Sequence, residues 1–293
     1  MMQKKISGAG VAIVTPFTQT GEVDYAALES LVQMHLDCGT DFLCVHGTTG
    51  ETPTLTVEEK RETRRRIIKQ VAGRIPIMLG VGGNNTMAVV NELKTEDFTG
   101  VDAILSIVPY YNKPTQEGIY RHFKAIADAT DLPVFLYNVP GRTGVNMLPE
   151  TTVRLAQECK NIVGLKAASG NLQQISRLFD IKPAGFDILS GDDALTVEIM
   201  KMGGTGVISV FSNAFPAQLK QLVEAAAQGD FAEARALNDK YSKIFQLLFV
   251  DGNPAGAKAA LNIMGKCENV LRLPLVPVSE TVACEMAAEI AAL

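Results

Sequence analysis

Eight times along this chain a short run of almost uninterrupted apolar residues gives way to an amphipathic stretch, and no other feature narrows the possible folds as far. The runs are GVAIVTPF (10–17), DFLCVHG (41–47), IPIMLGV (75–81), DAILSIVP (102–109), PVFLYNV (133–139), IVGLKA (162–167), FDILSG (186–191) and TGVISV (205–210). A strand with one wet face alternates apolar and polar residues. A strand apolar at nearly every position is covered on both faces, as in a parallel sheet. The intervening segments carry helix start signals: Asp24 before YAALESLVQMHLD, Thr56 with Glu59 in a capping-box spacing, and Pro149 opening PETTVRLAQE. Eight strand–helix units predict an α/β fold, a (β/α)8 TIM barrel over residues 1–225, with a doubly wound open sheet as the alternative. From residue 226 onward only helical patterns remain, which predicts an appended C-terminal helical region over 226–293.

The chain has 293 residues, 47% hydrophobic and 20% charged, which is enough to bury a large core. A net charge of −5 offers no basic footprint, so nucleic acid is not an expected partner. The densest basic run, KRETRRRIIKQ (60–70), mixes signs and apolar residues in the manner of a solvated helix face. No segment approaches the roughly 18 apolar residues of a membrane span. The N-terminal MMQKKISGAGVAIVTPF has too short an apolar stretch for a signal peptide, so a cytoplasmic protein is expected. Five cysteines without a Cys-x-x-Cys pair predict reduced thiols, and His35, His46 and His122 share no metal-ligand spacing. GAGVAI (8–13) and GVGGNN (80–85) both miss the third glycine of a dinucleotide loop. Neither zinc nor a nucleotide cofactor is expected from these patterns.

In a barrel of this kind the active site lies at the C-terminal ends of the strands. That rule gathers the unusual polar residues on one rim: HGTTGE (46–51), PYYNKP (109–114), YNVPGRTG (137–144), Lys166, SGDD (190–193) and ISVFSN (208–213). Lys166 ends a buried strand, where lysine is rare unless paired. It reads either as a stem lining the barrel mouth with its head on a carboxylate, or as a desolvated amine that attacks a carbonyl to form a Schiff base. Tyr137 ends the preceding strand and serves as packing or as a proton carrier beside Lys166. The glycine-bracketed GTTGE offers hydroxyls and amides suited to a carboxylate, or is an ordinary loop. Arg142 is either a surface arginine or a bidentate clamp on a second carboxylate. Cys44 and His46, just before GTTGE, read as buried strand packing.

Taken together, GTTGE (47–51), PYYNKP (109–114), YNVPGRTG (137–144), GLKAASGN (164–171), LSGDDA (189–194) and GVISV (206–210) resemble the dihydrodipicolinate synthase/N-acetylneuraminate lyase superfamily. GTTGE and PGRTG point to its synthase branch, since the sialic acid lyases usually carry a serine in the first motif and lack the arginine of the second. The resemblance covers essentially the whole chain, in order.

That resemblance implies a class I pyruvate-dependent lyase in which Lys166 forms a Schiff base with pyruvate. Tyr137 would relay protons with Thr48 and Tyr111, the latter lent by a neighbouring subunit. Thr49 and nearby amides would hold the pyruvate carboxylate, and Arg142 the carboxylate of L-aspartate 4-semialdehyde. Gly191 and Ile208 would line the pocket with backbone groups, and no metal or organic cofactor would be needed. The product would be 4-hydroxy-tetrahydrodipicolinate, on the route to diaminopimelate and lysine, and the assembly a homotetramer built as a dimer of dimers. A pyruvate lyase for a 2-keto-3-deoxy acid and a silent binding barrel are the alternatives. Gly82, Asn84 and Tyr110 match an allosteric lysine site, but Val57, Lys60 and Ala88 stand where lysine-sensitive members carry ligating histidines and a glutamate, so weak or absent inhibition is expected. Ala167 and Gly256 also depart from the family pattern, where an acidic residue and a proline are common.

Overall fold

The computed structural model describes residues 4–293, so Met1, Met2 and Gln3 of the N-terminal stretch lie outside the described residues. Eight parallel strands close into a barrel in chain order: β1 (Gly8–Ala12), β2 (Phe42–Val45), β3 (Ile77–Gly80), β4 (Ala103–Ile107), β5 (Val134–Asn138), β6 (Ile162–Ala167), β7 (Asp187–Ser190) and β8 (Gly206–Ser209). The helices are α1 (Tyr25–Asp37), α2 (Val57–Val71), α3 (Thr86–Thr95), α4 (Gln116–Ala127), α5 (Pro140–Thr143), α6 (Pro149–Glu158), α7 (Leu172–Ile181), α8 (Thr196–Lys201), α9 (Pro216–Ala227), α10 (Phe231–Val250), α11 (Ala255–Ile263) and α12 (Glu280–Ala292). The expected closed barrel is the observed fold, not the open sheet. No helix among the described residues is long and apolar enough to cross a membrane.

The start signals form the caps they predict. Asp24 accepts the Ala27 N–H, Thr56 and Glu59 close a complete capping box, and Pro149 occupies the first turn of α6. The first strand differs from its expected span of 10–17, running from Gly8 to Ala12. After Ala12 the chain leaves the sheet. There the Val14 N–H donates to Asn213 Oδ1 at 3.0 Å, and Phe17 bridges antiparallel to Val23. An apolar run records burial, and burial continues through Phe17 although the strand does not.

Alternate residues of each strand divide two cores. Leu43, Val45, Leu136, Leu165 and Ala167 face outward into the layer between barrel and helices. Phe42, Cys44, Met78, Leu105, Phe135, Tyr137, Leu189 and Ile208 fill the barrel interior. At β6 this alternation is reset. Val134 pairs with Ile162 but Phe135 pairs with Gly164, so Val163 is an extra residue with no partner on β5. Such a bulge re-aims every side chain after it. Ile162 faces outward; without the bulge Lys166 would face outward as well, whereas with it Lys166 points into the barrel mouth beside Tyr137.

The three helices after α9 pack back on the barrel instead of standing apart. Phe211 stacks on Phe215 at 4.8 Å and meets Tyr241 and Phe245 of α10 at 5.2 and 4.9 Å between ring centres. These contacts bring the end of α10 and the start of α11 over the C-terminal rim.

Candidate active site

Tyr137 and Lys166 are register partners on β5 and β6, so their side chains emerge side by side at the top of the barrel. Lys166 is 6% exposed and its Nζ lies 4.5 Å from the centre of the Tyr137 ring. Beneath them Cys44 is fully buried, and burial pushes its thiol up to about 11 despite the opposing pull of the Lys166 charge. That thiol is protonated packing, as the sequence suggested. Gly191 follows β7 against the lysine stem; a Cβ there would lie 2.9 Å from Lys166 Cε and 2.8 Å from Ala168 Cβ. Glycine is what lets the amine reach the mouth.

These residues open onto a cavity of about 170 Å³ walled by Thr48, Thr49, Val139, Arg142, Ala168, Asp192, Val210, Phe249 and Asn253 as well. The Thr48–Gly50 turn sits above β2. The Asn253 Nδ2 donates to the buried Thr49 Oγ1 at 3.0 Å, and Arg142 Nη2 donates to the Asn253 carbonyl at 3.3 Å. A single residue between α10 and α11 thus ties the GTTGE turn to the arginine of the fifth loop. Thr15 donates to the Gly50 carbonyl at 2.8 Å and pins the turn from the other side.

Below the turn, Glu51 adopts a left-handed conformation, φ 51°, and its carboxylate meets Lys258 of α11 at 2.5 Å with both side chains fully buried. Lys258 also donates to the Val270 carbonyl at 2.8 Å and lies 3.9 Å from the Phe17 ring centre, while the Arg272 N–H donates to Glu51 Oε2 at 3.0 Å. Burial lowers the Lys258 pKa, against the opposing pull of Glu51. Reading the motifs alone missed Glu51, Asn253 and Lys258. The last Glu of GTTGE and the Asn and Lys of NPAGAK were the signal, legible only as a pair some 200 positions apart.

The two aspartates of SGDD separate. Asp193 is buried and its Oδ2 accepts the Val210 and Phe211 N–H groups at 3.0 Å each, which fixes the turn after β8. Burial raises its pKa. Asp192 stays on the cavity wall, its Oδ1 accepting the Ala194 N–H at 3.1 Å, and burial raises its pKa too. His46, at φ 57°, turns away to place Nε2 2.8 Å from Thr63 Oγ1; burial, aided by Lys60 and Arg64, drops its pKa to about 3.

The geometry gathers Lys166, Tyr137, Thr48, Thr49, Arg142 and Gly191 around one cavity. Ile208 lies just below it, in the barrel interior with Tyr137 and Leu189. Tyr111 does not join them: it is 86% exposed at φ 72°, outside the cavity of its own chain. Gly82, Asn84 and Tyr110 cluster apart, where Asn84 Nδ2 donates to the Tyr110 carbonyl at 3.2 Å. Among the described residues no His, Cys, Asp and Glu side chains converge in a group that could hold a metal ion.

The Dihydrodipicolinate synthetase family profile matches residues 5–293. The chain belongs to that family. A 4-hydroxy-tetrahydrodipicolinate synthase of Phocaeicola vulgatus is 60% identical over 277 residues, covering 94% of this chain and 93% of the relative. The crystal structure of dihydrodipicolinate synthase from Aquifex aeolicus superposes with a TM-score of 0.95 at 42% identity, covering 98% of both chains. The chloride-inhibited enzyme from Acinetobacter baumannii, solved in complex with pyruvate, is equally similar, with a TM-score of 0.95 at 42% identity and 98% of each chain covered.

Within this dihydrodipicolinate synthetase family chain, both departures from the family pattern have a local account. Ala167 follows the lysine but faces outward into the helix layer, away from the cavity. Gly256 packs on α10 so closely that a Cβ would sit 2.4 Å from the Leu248 carbonyl oxygen, so only glycine fits this approach.

Proposed function

We propose that this chain condenses pyruvate with L-aspartate 4-semialdehyde to give 4-hydroxy-tetrahydrodipicolinate, the activity for which its close relatives are named. One observation carries the reading: a nearly buried lysine amine, pressed on a tyrosine ring, shares a small cavity with a hydroxyl-rich turn and an arginine.

In this scheme Lys166 attacks the pyruvate ketone and, with loss of water, forms the Schiff base. The Thr49 amide region and the neighbouring turn receive the pyruvate carboxylate. Tyr137 moves protons between the methyl carbon and the nitrogen, with Thr48 continuing the chain of hydroxyls. The resulting enamine carbon attacks the aldehyde, whose carboxylate Arg142 clamps. The substrate's own amine then displaces Lys166, closing the ring and freeing the enzyme. Tyr111 completes the hydroxyl chain only in a second subunit, because it is exposed and remote from its own cavity. The site is therefore complete in a dimer or a larger assembly such as a homotetramer.

The test is borohydride trapping. Pyruvate with borohydride should add one reduced pyruvate to Lys166, found by peptide mass spectrometry, and Lys166→Ala should abolish both adduct and turnover. An adduct on another residue, or one that survives Lys166→Ala, refutes the scheme. Preferential cleavage of 2-keto-3-deoxy acids would support the lyase alternative.

A further inference from the structure

Asp192 is the one acidic residue among those that wall the cavity, which it lines together with Lys166 and Arg142. Its neighbour Asp193 is withdrawn, buried and committed to the Val210 and Phe211 amides. Asp192 is held in place from outside the cavity: Oδ1 takes the Ala194 N–H at 3.1 Å, and its backbone carbonyl accepts the Ser190 and Thr196 hydroxyls at 2.7 and 3.0 Å. Three hydrogen bonds thus fix the residue at the end of β7. The buried Asn253 Oδ1, an acceptor without a partner in the same wall, carries no charge.

The second substrate in the reaction proposed above is a zwitterion, with a carboxylate and an ammonium on one carbon and the aldehyde two carbons away. Arg142 matches the carboxylate, and no role assigned so far matches the ammonium. We propose that Asp192 receives the substrate's α-ammonium and thereby selects amino-bearing aldehydes over aldehydes that lack the amine. A charge-assisted pair in a partly desolvated wall orients as well as binds. With its ammonium on Asp192 and its carboxylate on Arg142, the substrate's α-carbon is fixed by two contacts and its aldehyde is presented to the enamine by a single face. Once the ammonium passes a proton to the Asp192 carboxylate, the free amine is already beside the carbon it must attack when the ring closes. An aldehyde without the amine keeps only the Arg142 contact.

This inference rests on the proposed condensation, and one set of measurements separates the two. Asp192→Asn keeps the acceptor that caps the Ala194 N–H and removes only the charge. Asp192→Ser, which also caps, serves if the first variant folds poorly. For each variant and for wild type, KM for L-aspartate 4-semialdehyde, the inhibition constant of succinate semialdehyde against it, and borohydride trapping of pyruvate are measured. Succinate semialdehyde has the same aldehyde and carboxylate without the amine. A hydrogen bond to a charged group predicts a KM rise of roughly ten- to hundred-fold, with the inhibition constant changed less than about two-fold and trapping intact. A KM rise below about ten-fold, or an equal loss for both aldehydes, overturns the assignment. A wild-type chain that traps no pyruvate overturns the condensation itself, and this assignment with it.

Discussion

Lys258→Met removes the ammonium that Glu51 meets at 2.5 Å while keeping the length and bulk of the side chain. Both partners are fully buried, so water cannot take over the abandoned carboxylate. An exposed pair would be worth less than about 1 kcal/mol. Breaking a buried one costs about 3–5 kcal/mol, because an uncompensated charge stays behind. Against a total stability of about 5–15 kcal/mol, that is a large fraction. A melting entropy of about 2.1 cal/mol/K per residue corresponds to about 0.6 kcal/mol/K for a chain of 293 residues, so the expected fall in Tm is about 5–8 °C. Glu51→Gln should cost less, since Lys258 keeps the Val270 carbonyl and the Phe17 ring. The double variant removes both charges and should be less destabilised than the two single losses combined, by about 1–3 kcal/mol. Calorimetry and urea titration of the four proteins complete the cycle. Because Glu51 ends the turn that carries Thr48 and Thr49, KM for pyruvate should rise in each single variant and recover in part in the double. A Lys258→Met Tm within about 2 °C of wild type, or strictly additive losses, refutes the reasoning.

Acid should unfold this protein through its histidines. His35 and His46 have pKa values of about 3, and His122 of about 4, all lowered by burial. Each is bonded through one ring nitrogen to a threonine hydroxyl, respectively Thr40, Thr63 and Thr86. Since the folded pKa values lie below the unfolded value of about 6.5, the unfolded chain binds more protons throughout that window. Stability is therefore complete above about pH 6.5 and falls as pH drops toward the folded values, by up to about 1.4 kcal/mol per pH unit for each histidine. Urea midpoints between pH 7 and pH 4.5 measure the slope, and a flat profile contradicts it. Free lysine should inhibit weakly or not at all, because Val57 and Ala88 offer its amines no acceptor and Lys60 repels them. Steady-state inhibition at micromolar lysine would count against that.

Much of this molecule was legible before any coordinates. Eight two-face apolar runs with capped helices between them leave few architectures other than a closed parallel barrel, and the barrel rule then places GTTGE, Tyr137, Arg142 and Lys166 on one rim. Those signals are local in sequence, each a property of a few neighbouring residues. The apolar companions of Lys166 were not legible. Ile162, Val163 and Leu165 look like its shield in the sequence, yet Ile162 and Leu165 face the helices and only Val163 packs on the barrel interior; the amine lies among Tyr137 and Cys44 of other strands, Gly191 just after β7 and Ala168 just past the end of its own strand. The strand parity that turns Lys166 inward depends on the unpaired Val163, and a bulge exists only relative to the strand beside it. The support of the GTTGE turn is equally non-local: Asn253 and Lys258 reach it across some 200 residues only because α10 packs on Phe211 and returns α11 over the rim. Residue types and their local period determined the elements and the chemistry available. Which face each side chain takes, and which distant residue stands behind it, was decided when the sheet closed and the last helices folded back across it.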